Sequence, residues 1–220
     1  MTDYRIAEVD LTAVDIVLTL ASGDVLTTPI TRYIRIEKAT PAERARWVLA
    51  DDGHGLNWPA LWEPHPQGMV SVWDILQDRL YDDALNRVQQ AGWDVDTVPQ
   101  RDRELVALWR LEADVNNGGF LQFFGNWGEQ NHRTAVAALD AIGAHRTAEI
   151  VRAMYAVIEP YGQTDEVVSL ADLPAVISEP ERERLEELDE AFWEYPDRLP
   201  RLVVEYHGDG SAQPQHPGQP

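Results

Sequence analysis

The chain has 220 residues, of which 18 are basic and 38 are acidic, so its formal net charge is −20. With 44% apolar residues, it is long enough for one large domain or two small ones that bury a core. The lack of cysteine excludes disulfides, thiolate nucleophiles and cysteine-ligated metal sites, and so negative a body repels the phosphates of DNA and RNA.

The amino-terminal part, residues 1–75, is predicted to form a small β-rich domain. Asp15–Leu20 is apolar and β-branched, residues 22–24 are a turn-forming Ser-Gly-Asp, and residues 25–28 return as a second stretch of the same kind. This pattern predicts a β-hairpin, because alternating apolar runs joined by a short polar turn pair with each other.

Two further strands and one short helix are predicted around this hairpin. The strands are expected over Ile6–Leu11, at the edge of the sheet, and over residues 33–36. Residues 40–43, Thr-Pro-Ala-Glu, form a capping box with proline at the first helical position, which predicts a helix that continues through residues 47–49. Residues 51–68 are rich in glycine and proline, so we expect a long loop there.

From residue 69 onward the hydrophobic spacing becomes that of amphipathic helices, which predicts an all-α helical domain over residues 76–207. The predicted helices cover residues 69–92, 101–115, 120–126, 134–142, 146–159, 181–195 and 198–206, the last of them interrupted early by Pro200. Residues 208–220 are rich in glycine, proline and glutamine and are expected to be a disordered tail. The expected fold class is therefore α+β, with the domain boundary near residues 69–78.

The most distinctive string in the chain is the Asn-Asn-Gly-Gly segment that follows the helix over residues 101–115. One interpretation is a helix-reversing corner, since these residues readily adopt positive φ and their amides cap backbone groups. The structural motif assigned to this corner comprises Asn116, Asn117, Gly118, Gly119, Phe120, Gln122, Phe123, Phe124 and Asn126. The other interpretation is a hard-cation site with oxygen ligands from Glu112, Asp114, Gln122, Asn126 and Glu129.

Motifs that carry catalytic chemistry are scarce in this sequence. The six histidines are dispersed, and no H-E-x-x-H, G-x-S-x-G, Walker or G-x-G-x-x-G string occurs. We therefore assign no catalytic residue, no metal ligand and no cofactor, and an enzyme is the less favoured interpretation. The enzyme that stays open is a metal-assisted hydrolase using Glu112, Asp114 and Asn126.

The predicted helix over residues 181–195 carries the densest run of acids. Several of its glutamates lie four residues apart, and each such like-charge pair costs a few tenths of a kcal/mol. A helix face destabilised by its own charge indicates an external use, namely binding a basic partner. The alternative is a solvated face in an acidic protein. The acidic face assigned to partner binding comprises Glu181, Glu183, Glu186, Glu187, Asp189, Glu190 and Glu194.

The string V-N-N-G-G-F-x-Q-F-F over residues 115–124 is preceded by Glu112 and followed by Asn126 and by Ala-Ile-Gly-Ala at residues 141–144. In this it resembles the family of acidic bacterial proteins typified by a neisserial DNA-mimic protein, over about residues 81–206. The resemblance implies a homodimer whose acidic surface imitates a DNA backbone and occupies the DNA-binding face of a transcription factor. Residues 91–220 contain 10 basic and 24 acidic side chains, a net charge of −14, which agrees with this implication.

The amino-terminal part is similar to a small bacterial domain of unknown function. The similarity rests on the hairpin, on residues 40–43, on Gly-Leu-Asn-Trp-Pro at residues 55–59 and on Val-Ser-Val at residues 70–72. The chain departs from that domain at Trp62 and the stretch that follows it. This similarity implies no activity.

We therefore expect a non-enzymatic acidic protein-binding module, a DNA mimic that occupies the basic nucleic-acid-binding face of a regulator. Trp193 and Tyr195 are candidate apolar anchors for that partner, with a core role as the alternative. The alternative function is an immunity- or antitoxin-like inhibitor of a basic toxin or nuclease. No apolar run approaches the roughly 20 residues of a membrane span, and residues 1–10 are unlike a signal peptide, so we expect a cytoplasmic protein without membrane partners.

Overall fold

The computed structural model describes residues 2–163 and 172–208. This part of the chain folds into two compact units, the first ending at Arg79 and the second beginning at Leu80. The strands lie in the first unit, and a long helical region follows them, so the α+β class expected from the sequence is confirmed. Residues 209–220, for which a disordered tail is expected, lie outside the described residues.

The first unit contains an antiparallel three-stranded sheet of β1 (Ile6–Leu11), β2 (Asp15–Leu20) and β3 (Val25–Pro29), in that order. Every second residue of β2 is buried, as expected for a strand with one face against a core. Leu18 of β2 lies opposite Leu26 of β3, and both are buried. The predicted hairpin and the predicted edge strand are both present.

A second antiparallel sheet contains β4 (Val48–Ala50), β5 (Gly55–Asn57) and β6 (Val70–Ser71), in that order. The predictions of a helix through residues 47–49 and of an uninterrupted loop over residues 51–68 are therefore wrong. β5 is buried along its whole length between its two neighbours. Buried backbone groups need hydrogen-bond partners, and strand pairing supplies them in a segment whose glycine content favours a loop locally.

Two single-turn helices precede the second sheet, α1 (Ile34–Glu37) and α2 (Pro41–Arg44). The strand predicted over residues 33–36 is wrong, because a helical turn buries Ile36 fully where the β-branched residues alone favour a strand. The predicted capping box starts α2, since the Thr40 backbone N–H donates to Glu43 Oε2 at 2.8 Å.

Helices make up the rest of the described chain. They are α3 (Val72–Gln90), α4 (Gln100–Ala141), α5 (His145–Ile158), α6 (Leu173–Val176), α7 (Glu179–Trp193) and α8 (Leu199–His207). The backbone of α4 leaves helical geometry at Gly118, Gly119 and Gly128, which divides it into three helical segments. The predicted interruption at residues 116–119 is thus confined to its glycines. Pro200 lies in the first turn of α8 and does not interrupt it.

The core of the second unit is formed mainly by the apolar faces of α4, α5, α7 and α8. Its buried side chains include Phe120, Phe123, Phe124, Val151, Met154, Leu185, Leu188, Phe192, Leu199 and Val203. The aromatic residues of the Asn-Asn-Gly-Gly segment are therefore core residues. Within residues 2–163 and 172–208, no helix combines the length and the apolar character needed to cross a lipid bilayer.

Candidate functional site: an acidic helix fastened to a glycine corner

The helix α7 has one apolar face and one acidic face. Leu185, Leu188 and Phe192 are buried at three- and four-residue spacing, so this face of the helix packs into the core. The helix begins at Ser178, whose backbone N–H donates to Glu181 Oε2 at 3.0 Å in a capping box. Hydrogen bonds from Ser178 and Tyr161 lower the pKa of Glu181, which fixes its charge at the helix start.

Five of the seven predicted partner-binding acids lie exposed on the opposite face of α7. These are Glu183, Glu186, Glu187, Glu190 and Glu194. At 3.6 residues per turn, they fall within about 100° of the helix circumference. The same face includes exposed Glu179, which the sequence analysis did not assign. We call Glu179 and these five residues the acidic stripe.

Arginine neutralises only part of the acidic stripe. Arg182 lies 3.6 Å from Glu179, and Arg184 donates to Glu187 at 2.8 Å. Among the described residues, no ion pair forms with the four other glutamates, Glu183, Glu186, Glu190 and Glu194. The stripe is therefore a continuous negative surface in which arginine pairs with two of the six glutamates, Glu179 and Glu187.

Asp189, the remaining predicted acid, is half-buried and points into the protein. Its Oδ1 accepts a hydrogen bond from the backbone N–H of Phe120 at 2.9 Å. Burial raises the pKa of Asp189, and this hydrogen bond opposes the effect. Asp189 thus holds α7 against the Asn-Asn-Gly-Gly segment, whereas Glu181 caps the helix.

We call residues 116–120 the glycine corner, because the backbone turns there at a residue that requires glycine. Gly119 has φ +78°, and a Cβ at this position would lie 2.4 Å from Asp189 Oδ2. Two further hydrogen bonds join the corner region to the end of α7. Trp193 Nε1 donates to the Val115 carbonyl at 3.1 Å, and the Tyr195 hydroxyl donates to Asn116 Oδ1 at 3.0 Å.

Asp114 is the centre of a separate group of hydrogen bonds in the same motif. Its carboxylate accepts from Gln122 Nε2 at 2.9 Å, from Asn126 Nδ2 at 3.1 Å and from Trp127 Nε1 at 2.6 Å. The two amides therefore present N–H groups to Asp114, where a cation would need their oxygens. These bonds fix the ring of Trp127. The guanidinium carbon of Arg110, Cζ, lies over this ring at 3.8 Å from its centroid.

The other two members of the predicted cation site point elsewhere. Glu112 accepts a hydrogen bond from the Tyr81 hydroxyl at 2.5 Å, and Glu129 pairs with Arg133. In the part of the chain that the structure describes, no group of three or more His, Cys, Asp or Glu side chains could hold a metal ion. The corner interpretation of the motif is the one that the geometry supports.

Two models of known protein families match parts of the chain. A family model described as DMP19-like protein matches residues 96–207, which is just over half of the chain. The chain belongs to the DMP19-like family. A second family model, described as a protein of unknown function (DUF2442), matches residues 6–63. No curated protein and no solved structure is significantly similar to the chain.

The DMP19-like region contains the glycine corner, the acidic stripe and the hydrogen bonds that join them. Both resemblances stated from the sequence are thereby confirmed, and a DNA-mimic-like protein is supported at the level of the family.

Sequence reasoning missed one feature of the DMP19-like region, a pocket around Arg110 and Asn131. The available signal is that Arg110 is the one charged residue in the seven-residue stretch Leu-Val-Ala-Leu-Trp-Arg-Leu at residues 105–111. Arginine is seldom buried unless its charge is compensated, so its place in an apolar stretch indicates a site.

Proposed function

We propose that this DMP19-like chain is a non-enzymatic protein-binding module whose acidic stripe occupies the basic nucleic-acid-binding face of a DNA-binding protein. The single observation that carries the proposal is the gathering of six exposed carboxylates on one face of a helix whose other face is buried. Membership of the DMP19-like family supports it.

The spacing of the carboxylates supports imitation of a nucleic-acid backbone. A helix rises about 1.5 Å per residue, so the acidic stripe from Glu179 to Glu194 is about 22 Å long, and its six charges follow one another about every 4.5 Å. One strand of duplex DNA carries a charge about every 3.4 Å. Arginine and lysine side chains that normally contact phosphates would therefore meet carboxylates at similar intervals.

Rigid attachment of α7 supports the same conclusion. Asp189 and Tyr195 hold its carboxy-terminal half to the glycine corner, and Trp193 holds it to the preceding Val115, so the stripe is in place before a partner arrives. A preorganised charged surface loses less entropy on binding than a mobile one.

Trp193 and Tyr195, at the end of α7, are also suited to contact a partner protein. Trp193 and Tyr195 are 44% and 50% exposed, although each donates a hydrogen bond to the corner region. Fixed, partly exposed aromatic rings beside a charged surface are typical anchors of protein interfaces. We assign the carboxylates to attraction and orientation of the partner, and these rings to apolar contact.

The experiment is capture of partners from a lysate of the protein's own cells at low salt, followed by competition with duplex DNA. The variant Glu183→Gln/Glu187→Gln/Glu190→Gln/Glu194→Gln removes four charges from the acidic stripe. The matched control removes four exposed carboxylates of the first unit by Glu8→Gln/Asp10→Asn/Glu37→Gln/Glu63→Gln. Both variants have the same net charge, so only the position of the remaining charge differs.

We expect the wild type and the control to retain a DNA-binding protein that duplex DNA displaces, and the stripe variant to lose it. Binding should weaken steeply as salt rises, because the contacts are ionic. Retention by the stripe variant, or a partner that DNA does not displace, would contradict DNA mimicry; the second result is the one expected of an immunity-like inhibitor. Sedimentation of the wild type tests the homodimer that the family resemblance implies.

A further inference from the structure

A pocket of about 410 Å³ lies within the second unit, and no residue of the acidic stripe is among those that line it. Its walls come from the turn before α4 and from all three helical segments of α4, with Arg110, Trp127 and Asn131 among the lining residues. The volume lies in the range of pockets that hold small molecules, about 300–1,000 Å³.

Two buried nitrogen donors in this pocket have no partner. Arg110 and Asn131 are each 9% exposed, and Arg110 donates through one terminal nitrogen to Asn131 Oδ1 at 2.8 Å. Within residues 2–163 and 172–208, Arg110 Nε and Asn131 Nδ2 form no hydrogen bond. A buried donor without a partner costs about 1–3 kcal/mol, so these two donors favour a ligand that supplies acceptor oxygens.

The charge of Arg110 is also uncompensated at close range. No carboxylate of the described residues forms an ion pair with its guanidinium, and its close neighbours are the Asn131 amide and the Trp127 ring. Burial lowers the pKa of Arg110, while Asp114 opposes this only as a nearby charge. Arginine keeps its proton in proteins, so a buried positive charge remains that an anion would pair with.

The other charges of the pocket favour a ligand with a single negative charge. Of the three lining arginines, Arg103 lies 4.0 Å from Asp96 and Arg133 pairs with Glu129, whereas Arg110 pairs with no carboxylate of the described residues. The remaining lining acid, Glu104, accepts a hydrogen bond from Gln100. A monocarboxylate balances the single charge of Arg110, whereas a dianion such as phosphate would be undercompensated. The carboxylate geometry also suits two donors on neighbouring groups, and Val95 and Ala137 offer contact to an apolar body.

We propose that this pocket binds a small organic monocarboxylate, whose oxygens accept hydrogen bonds from Arg110 Nε and Asn131 Nδ2. Trp127 supports the site by stacking on the guanidinium, and Asp114 fixes the ring of Trp127 through its indole N–H. The proposal is independent of partner binding by the acidic stripe.

The experiment is calorimetric titration of the full chain with butyrate and with benzoate. Butyramide and benzamide serve as neutral ligands of the same shape, and inorganic phosphate serves as the dianion. The decisive variant is Asn131→Asp, which keeps an oxygen for Arg110, removes the Nδ2 donors and places a carboxylate beside the guanidinium. The matched control is Arg146→Gln, which removes an exposed arginine of the second unit outside the pocket.

We expect saturable binding of at least one carboxylate with a Kd of about 1 mM or tighter, and none of its amide. Asn131→Asp should weaken that affinity at least about tenfold while its melting temperature stays at or above that of the wild type, and Arg146→Gln should bind like the wild type. No saturable binding of either carboxylate, equal binding of acid and amide, or binding of phosphate alone would overturn the proposal. Unchanged carboxylate affinity in a folded Asn131→Asp variant would overturn it too.

Discussion

The carboxylate of Asp189 accepts a hydrogen bond from the backbone N–H of Phe120, 2.9 Å away, and so joins the acidic helix to the glycine corner. The two residues are 69 positions apart in the chain. Phe120 directly follows the Asn-Asn-Gly-Gly segment, and Asp189 lies within the densest run of acids. The motif of the DMP19-like region therefore positions α7, and with it the acidic stripe.

Loss of the Asp189 acceptor is expected to destabilise the fold. Asp189→Ala leaves the buried Phe120 N–H without this partner, which should lower the free energy of unfolding by about 1–3 kcal/mol in urea denaturation. Asp189→Asn should cost less, because it keeps an acceptor oxygen and removes a charge that burial disfavours. The control Glu190→Ala, at an exposed neighbour, should stay within about 0.5 kcal/mol of the wild type. Equal losses for the two Asp189 variants would contradict the assigned hydrogen bond.

The requirement for glycine at position 119 has two causes that a pair of variants separates. In Gly119→Ala the new side chain is strained by the positive φ, and its Cβ would also lie 2.4 Å from Asp189 Oδ2. In Gly143→Ala the backbone has a similar φ of +81°, but no atom lies close to the new Cβ. We expect Gly143→Ala to cost about 1 kcal/mol and Gly119→Ala clearly more. Thermal unfolding measures both. In the background of Asp189→Ala, the two glycine variants should cost similar amounts, and a persistent difference would show that another contact is responsible.

Neutralising part of the acidic stripe is expected to stabilise the protein. Glu190 has like-charged neighbours four residues away at Glu186 and Glu194, so Glu190→Gln removes two repulsions and should raise the free energy of unfolding by about 0.5 kcal/mol at low salt. The gain should shrink at high salt, where the charges are screened. A variant that is both more stable and weaker in partner capture would identify the stripe as a surface kept for function. A salt-independent change would contradict the repulsion argument.

Stability is expected to fall with acid through His207. Its side chain is 4% exposed and near Arg101, and burial lowers its pKa to about 4, although Glu104 lies 3.9 Å from Nε2. The unfolded chain binds this proton with a pKa of about 6.5, so the contribution is complete above pH 6.5 and is lost as the pH falls through 4. The free energy of unfolding therefore falls by about 3 kcal/mol as His207 takes up its proton.

Denaturation curves between pH 7 and pH 4 measure this contribution by difference. The wild type should lose more stability over that interval than His207→Phe, which cannot take up the proton. His145→Gln, at an exposed histidine, should follow the wild type. Parallel curves for the wild type and His207→Phe would show that the acid sensitivity comes from other groups.

The elements predicted well are those with strong local signals. The hairpin of β2 and β3 has a clear alternation and a turn, and the helix α7 has an apolar face with regular spacing. Elements that depend on distant partners were missed. β5 forms because β4 and β6 pair with its backbone, and α1 forms because one isoleucine is buried by that turn. No local window contains that information.

The candidate site, like the fold, could be predicted from the sequence only in part. The run of glutamates already predicts a charged face, but the run alone does not separate Asp189 and Glu181, which serve the fold, from the glutamates that are exposed. Likewise, Asp114, Gln122 and Asn126 are oxygen-bearing residues near one another in the sequence. The structure uses the amides as donors to Asp114, because their side chains can rotate to present either N–H or oxygen.

The sequence by itself determined the α+β class, the family of the helical part, the strong negative charge and the helix on which much of it lies, because composition and periodicity are local properties. Only the tertiary structure decided which carboxylates face outward, that the glycine corner fastens their helix, and that a buried arginine and a buried asparagine share a pocket. These depend on contacts between residues as many as 79 positions apart, whose energies arise when the chain has folded.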